Sequence, residues 1–178
     1  MSSKQPLKGG DILMLKKVIA LSTAAMILLT PMSASAVSWG DVVSGLKTKG
    51  SYTDGKLTAT RDGNDYTITG GELEGVFISS FNLNANGKIY FNGVQMDDLN
   101  IYADEGKYYV VLNKDTKTGS VWMDTGENGE AKLVNEGTIG RGEVTDIIIN
   151  KNGHLTNKGT LKTGEGTYYP TIDCDYEK

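Results

Sequence analysis

One cysteine, Cys174, and one histidine, His154, are all that the chain holds of the two side chains most used as soft metal ligands and as activated catalytic groups. A lone cysteine excludes an internal disulfide, so the fold must rest on its apolar core; pairing between chains stays open in an oxidising compartment, and an inert thiol in a frayed tail is the expectation for Cys174. A zinc site needs three or four protein ligands of the right type, which one histidine and one tail cysteine do not supply. The sequence contains no G-x-S-x-G, no H-E-x-x-H and no reactive-cysteine motif. These gaps lead us to expect no catalytic, metal or cofactor residues. Basic excess is also missing, and past residue 50 so is any long helical period.

The one extended apolar run, Val18 to Leu29, is too short for a membrane span of roughly 20 residues. Lys16 and Lys17 precede it and Ala34-Ser35-Ala36 follow it, the arrangement of a secretory signal peptide over residues 14–36. Lys8-Gly9-Gly10-Asp11 can be back-translated as a strong bacterial ribosome-binding sequence just ahead of Met14. Residues 1–13 are therefore expected to be leader read as protein, and the source bacterial. Cleavage after Ala36 leaves 37–178, one domain's worth of chain. Four of the 18 basic and one of the 22 acidic side chains lie in 1–36, so the mature part carries a net charge of −7. That sign argues against nucleic acid or anionic membranes as partners. The expected destination is the medium or the cell surface, or the periplasm if a Gram-negative cell retains the protein.

The mature chain divides into two patterns. Over 37–50, Ser38 is placed to cap a helix whose stripe is Trp39, Val42, Val43 and Leu46, with Gly50 to end it. Over 51–178, turn pairs such as Asp54-Gly55, Gly70-Gly71, Asn92-Gly93 and Asn152-Gly153 punctuate runs rich in β-branched and aromatic residues. This reads as an all-β domain behind one helix.

A repeat separates the β architectures. LVNEGTIGRG at 133–142 returns 22 residues later as LTNKGTLKTG at 155–164, and LNANGKI at 83–89 returns at 149–155, three such steps on. A strand-rich period of this length suits one coil of a parallel β-solenoid, each coil meeting the same neighbour above and below. We expect about six coils of about 22 residues. Ile89, Val111, Leu133 and Leu155 should form one inward column, Gly93, Gly137 and Gly159 one corner, and asparagines should bond from coil to coil. The helix would cover the first coil's open edge. The alternative is an antiparallel sandwich or barrel, in which 107–124 forms a hairpin.

The W-x-x-V-V-x-x-L helix stripe followed by a glycine and a first strand resembles the capped start of right-handed β-helix proteins of the pectin-lyase-like class. The N-x-G-T-[IL] coils are similar to repeats of bacterial autotransporter passengers and secreted adhesins. The resemblance covers most of residues 38–165 and implies a parallel β-helix that either binds a surface ligand or acts on a polysaccharide. In the enzymes of that class a paired Asp works with further acids, a His and a basic residue on neighbouring coils.

Few constellations here could carry such chemistry. Asp97-Asp98 and Asp104-Glu105 are the densest acidic pairs, and paired carboxylates can hydrolyse glycosides. His154 lies about three coils away and shares a column with Lys88 and Lys132, which implies an outward, solvated position. Asn82, Asn84, Asn86, Gly87 and Ile89 imitate the start of a calcium loop, but the ligands are neutral and Gly93 stands where a bidentate Glu belongs, so corner asparagines are expected. Tyr90, Tyr102, Tyr108, Tyr109, Trp122, Tyr168 and Tyr169 could offer sugar-stacking faces, although strand alternation turns only about half of them outward.

The leading expectation is an exported, non-catalytic, adhesin-like module for a glycan or a host or cell-surface protein, with no membrane insertion after processing. The rival is a small glycan-active lyase or hydrolase using Asp97, Asp98 or Asp104. N-terminal sequencing of the extracellular protein should return Val37 as its first residue; retention of the Val18–Leu29 run would overturn the export reading.

Overall fold

Helix α1 (Trp39–Lys49) is fixed at both ends by its neighbours. Ser38 occupies the N-cap position with extended backbone, without a side-chain capping bond, and Gly50 ends the helix in the left-handed region at φ 71°, its N–H donating to Leu46 O. A side chain there would strain that turn, whereas glycine does not. Trp39, Val42, Val43 and Leu46 are all buried, as the apolar stripe requires. The computed structural model describes residues 36–140, 146–162 and 172–174. The chain separates into units Met1–Ala34 and Ser35–Lys178, and only the second is described. The expected leader and signal segment, Tyr168 and Tyr169 lie outside the described residues.

Strands make up 61% of the structure, and the domain is a parallel β-solenoid of about four turns. Strands β1 (Ser51–Asp54), β2 (Leu57–Asp62) and β3 (Asp65–Thr69) form an antiparallel meander, and every later pairing is parallel. The coils then pass through β4 (Glu72–Leu73), β5 (Val76–Ile78), β6 (Lys88–Asn92), β7 (Gln95–Leu112), β8 (Lys117–Asn135), β9 (Thr138–Ile139), β10 (Ile147–Ile149), β11 (Gly153–Asn157), β12 (Thr160–Leu161) and β13 (Ile172–Cys174). Three ladders run along the stack. The first joins β3, β6, the later parts of β7 and β8, and β11. The second joins β4, residues 95–96, residues 117–118, β9 and β12. The third joins β5, residues 98–103, residues 120–125, β10 and β13.

Alternation along each strand sends apolar columns inward. Tyr66, Ile89, Val110, Leu133 and Leu155 are in register on the first ladder, and Val76, Leu99, Val121 and Ile147 on the third. The expected column was therefore right at Ile89, Leu133 and Leu155 and one residue off at Val111. Val111 instead shares the outward column of Tyr90 and Val134, where it is still only 8% exposed.

The slip has a local cause. Ala103 pairs with Thr125 but Glu105 with Asn128, so Asp104 alone stands opposite Gly126 and Glu127. The bulge leaves the coil from Ile89 to Val110 one residue short of the repeat and the coil from Val110 to Leu133 one residue over it. A Cβ on Gly126 would lie 2.5 Å from the Asp104 carbonyl oxygen, so the two-against-one corner needs glycine there.

Gly93, Gly137 and Gly159 do share one corner, between the first and second ladders. Coil-to-coil amide bonds are present: buried Asn135 Nδ2 donates to Asn157 Oδ1 at 2.7 Å, and Asn113 Nδ2 donates to Asn92 Oδ1. Within its own turn Asn135 Oδ1 accepts from Gly137 N–H at 3.1 Å. The coil count is lower than the expected six because residues 51–62 go into the antiparallel meander. On the third ladder the step also lengthens beyond the repeat, Val121 pairing with Ile147 and Ile147 with Ile172. Residues 107–124 are not a hairpin, for both flanks of the turn at Asn113–Thr116 pair in parallel with the coils above and below. At Cys174 the backbone lies in β13 in register with Ile149, rather than in a frayed tail.

Leu133, fully buried between Val110 and Leu155 in its column, supplies the stability test. Leu133→Ala should cost about 2–5 kcal/mol in denaturant unfolding. Thr156→Ala, on the exposed side of β11, should stay within about 0.5 kcal/mol. Equal costs for the two would contradict the inward assignment.

Candidate functional site

The outward positions of the third ladder put aromatic rings in line. Phe77, Asn100, Trp122 and Ile148 are in register on successive rungs, and Phe77 and Trp122 are 41% and 44% exposed. Tyr102, two residues beyond Asn100, leans back over Phe77, with ring centroids 5.3 Å apart and planes 30° from parallel. Neighbouring rungs are about 4.8 Å apart. Phe77 and Trp122 are thus separated by two rungs, about 10 Å, with the Asn100 amide and Tyr102 on the rung between them.

The frame beneath this surface is tied down. The Phe77 carbonyl accepts from Trp39 Nε1 at 2.7 Å and from Asn82 Nδ2 at 2.8 Å, which fastens β5 to the capping helix and to the following loop. Asp98, Asp124 and Asp146 flank the rings, and Asp98 accepts from Ser120 Oγ. The described strands of this ladder contain no Lys or Arg. The surface is therefore flat, aromatic and anionic.

The first ladder has the opposite character. Lys88, Tyr109, Lys132 and His154 form one outward column, as the spacing of His154 implied. Lys88 Nζ lies 6.0 Å from the Tyr109 ring centroid. A shallow cleft of about 290 Å³ is lined by Lys88, Lys107, Tyr109, Glu130 and Lys132 among others. Glu130 bridges its neighbours, accepting from Lys107 Nζ at 2.7 Å and from Lys132 Nζ at 2.5 Å. These bonds hold its carboxyl down at about 2, below the ordinary carboxylate value. The one carboxylate offsets one of the three lysine charges that line the cleft.

The other sequence candidates fall in separate places. Asp97-Asp98 and Asp104-Glu105 sit at opposite ends of the third-ladder stretch of β7, about 20 Å apart at about 3.3 Å per residue. Paired carboxylate hydrolysis needs about 5–9.5 Å, so the two pairs cannot act together. His154 is on a different ladder from Asp97 and Asp98. Among the asparagines, Asn82 supports the Phe77 carbonyl, Asn84 N–H donates to the Tyr66 hydroxyl, and Asn86 Oδ1 accepts from Lys107 N–H, all structural bonds at a corner. Among the described residues no group of three or more His, Cys, Asp or Glu could hold a metal ion.

Of the aromatic candidates, Tyr102 and Trp122 reach the third face and Tyr90 and Tyr109 the first. Tyr108 turns inward, 1% exposed, with its hydroxyl donating to Leu83 O at 3.1 Å. Burial, and then the nearby Tyr66 and Asp104, push its pKa up to about 12. Sequence reasoning missed Phe77 and the more exposed Phe81 (81%). Phe77 was within reach, because it lies one coil before Asn100 in the register that carries Trp122.

Set against known proteins, the chain matches no protein-family model, no curated protein and no solved structure.

The Glu130 bridge gives a pH test. A carboxyl held below its ordinary value adds stability that is fully present above about pH 4.5 and lost as pH falls toward about 2. The effect is small, because Lys107 and Lys132 remain 72% and 51% exposed. Glu130→Gln should flatten the fall in thermal midpoint between pH 4.5 and 2; an unchanged slope would contradict the bridge.

Proposed function

We propose that the protein is an exported, non-catalytic binding module of a bacterium, presenting the third ladder's outer face to a glycan or to a host or neighbouring-cell surface protein. The observation that carries the reading is the line of outward rings on a hydrogen-bonded frame, exposed Phe77 and Trp122 with half-buried Tyr102 stacked on Phe77. Ligand faces gain affinity when their aromatic anchors are held in place before binding. The separation of the acidic pairs along β7 and of His154 onto another ladder weighs against the lyase or hydrolase alternative.

Export draws support from the place of the residue that follows Ala-Ser-Ala. Val37 N–H donates to Glu72 O at 2.8 Å, and Glu74 N–H donates to Val37 O at 3.1 Å, so the residue after Ala-Ser-Ala is, among the described residues, the first to join the second ladder. An α-ammonium created by cleavage after Ala36 could still donate to Glu72 O. The likeness to autotransporter-passenger and pectin-lyase-like coils belongs to this same reading: a parallel stack suits an elongated surface module held at the cell or released from it.

The test is a glycan and cell-surface-protein array run beside polysaccharide turnover assays. Saturable binding without turnover is expected. Turnover that disappears in an Asp97→Asn, Asp98→Asn double variant would overturn the module in favour of an enzyme.

A further inference from the structure

We infer that the third face takes a linear, uncharged glycan of at least three sugar units, lying along the solenoid axis from the Phe77–Tyr102 pair to Trp122. This rests on the binding-module reading above and narrows its ligand to one class.

Three features of the face lead to that chemistry. The first is spacing. Phe77 and Trp122 are two rungs apart in one register, about 10 Å. That is roughly the length of two linked hexopyranose rings, so alternate sugars of an extended chain can each meet an aromatic surface. The apolar C–H face of a pyranose pairs with the negative face of an aromatic ring, as in other edge-to-face contacts. The second is polarity between and beside the rings. The Asn100 amide, a donor and an acceptor, lies under the intervening sugar, while the Asp98 and Asp124 carboxylates and the Ser120 hydroxyl sit alongside. Carboxylates accept strong hydrogen bonds from hydroxyl donors, which every sugar carries in numbers.

The third feature is charge. Asp98, Asp124 and Asp146 stand on a face whose described strands supply no Lys or Arg. Uronate or sulfated chains would be repelled. A cationic peptide is the rival that charge alone would admit. The aromatic spacing favours the glycan, because side chains of an extended peptide laid along the axis that face one way recur about every 7 Å, which does not match two rungs.

The face also carries its own reporter. The chain has two tryptophans; Trp39, on the capping helix, is buried, and Trp122 is exposed. A ligand that covers this surface must change the emission of Trp122.

The experiment titrates the full chain with neutral glucose, mannose and N-acetylglucosamine oligomers of one to six units, with uronic acid oligomers of the same lengths, and with a lysine-rich peptide. Tryptophan fluorescence and calorimetry are the readouts. At least one neutral series should bind with affinity rising steeply up to three units and levelling beyond, and the uronic acid series should bind at least tenfold more weakly. Trp122→Ala should weaken binding about tenfold or more, with its thermal midpoint within a few degrees of wild type. Trp122→Phe should recover part of the affinity. Glycan binding that Trp122→Ala leaves unchanged would overturn the site. Binding of the peptide or of an arrayed protein through Trp122, with no glycan bound, would overturn the glycan assignment and leave the binding-module reading intact. No ligand of any class bound by the folded protein would overturn both.

Discussion

Everything in this protein depends on the parallel backbone ladder that joins each coil to the next. A coil exists only if its N–H and C=O groups meet those of its neighbours, because unpaired backbone inside the stack would cost too much. The requirement holds successive coils to nearly equal length and aligns inward side chains in columns. It also forces small residues and side-chain amides into the corners, where the chain turns and the ladder is interrupted. Asn135, buried and bonded to both Asn157 and Gly137, shows a polar side chain taking over at such a corner what the backbone ladder does along the faces.

The ends of the ladder are where this rule demands a separate solution. At the first coil the antiparallel meander of β1, β2 and β3 redirects the edge, and α1 buries its stripe in the same core as Leu57 and Ala59. A plain edge there would be a template for aggregation. The cap has a second consequence, since Trp39 reaches from α1 to the Phe77 carbonyl. The device that closes the stack also steadies the strand that carries the first ring of the candidate ligand face.

Much of this was legible in the sequence, because a ladder writes its period into the chain. The coil step, the helix stripe, the Gly93–Gly137–Gly159 corner and the outward place of His154 follow from spacing alone. The placing of Val111 failed because the Asp104 bulge drops one residue from a coil, and a bulge leaves no trace in a periodicity count. The count of six coils failed because the meander and the longer third-ladder steps use residues outside the repeat. For the candidate ligand face, composition pointed to aromatic residues but could not sort them. Tyr108 and Tyr109 are adjacent and alternation sends them opposite ways, while Phe77, set between Val76 and Ile78, reads as core until its register with Trp122 is known. The proposed ligand face depends on which side chains meet on an outer surface, and spacing along the chain does not give that.

The central claim is the in-register parallel stacking of coils, and backbone nuclear Overhauser contacts measure it directly. The account predicts contacts linking Val110 to Leu133 and Leu133 to Leu155, in the pattern of parallel strands, with residues 107–112 showing none to residues 119–124. Strong antiparallel contacts between those two segments, with Leu133 and Leu155 remote from each other, would contradict the solenoid and the ligand face built on it.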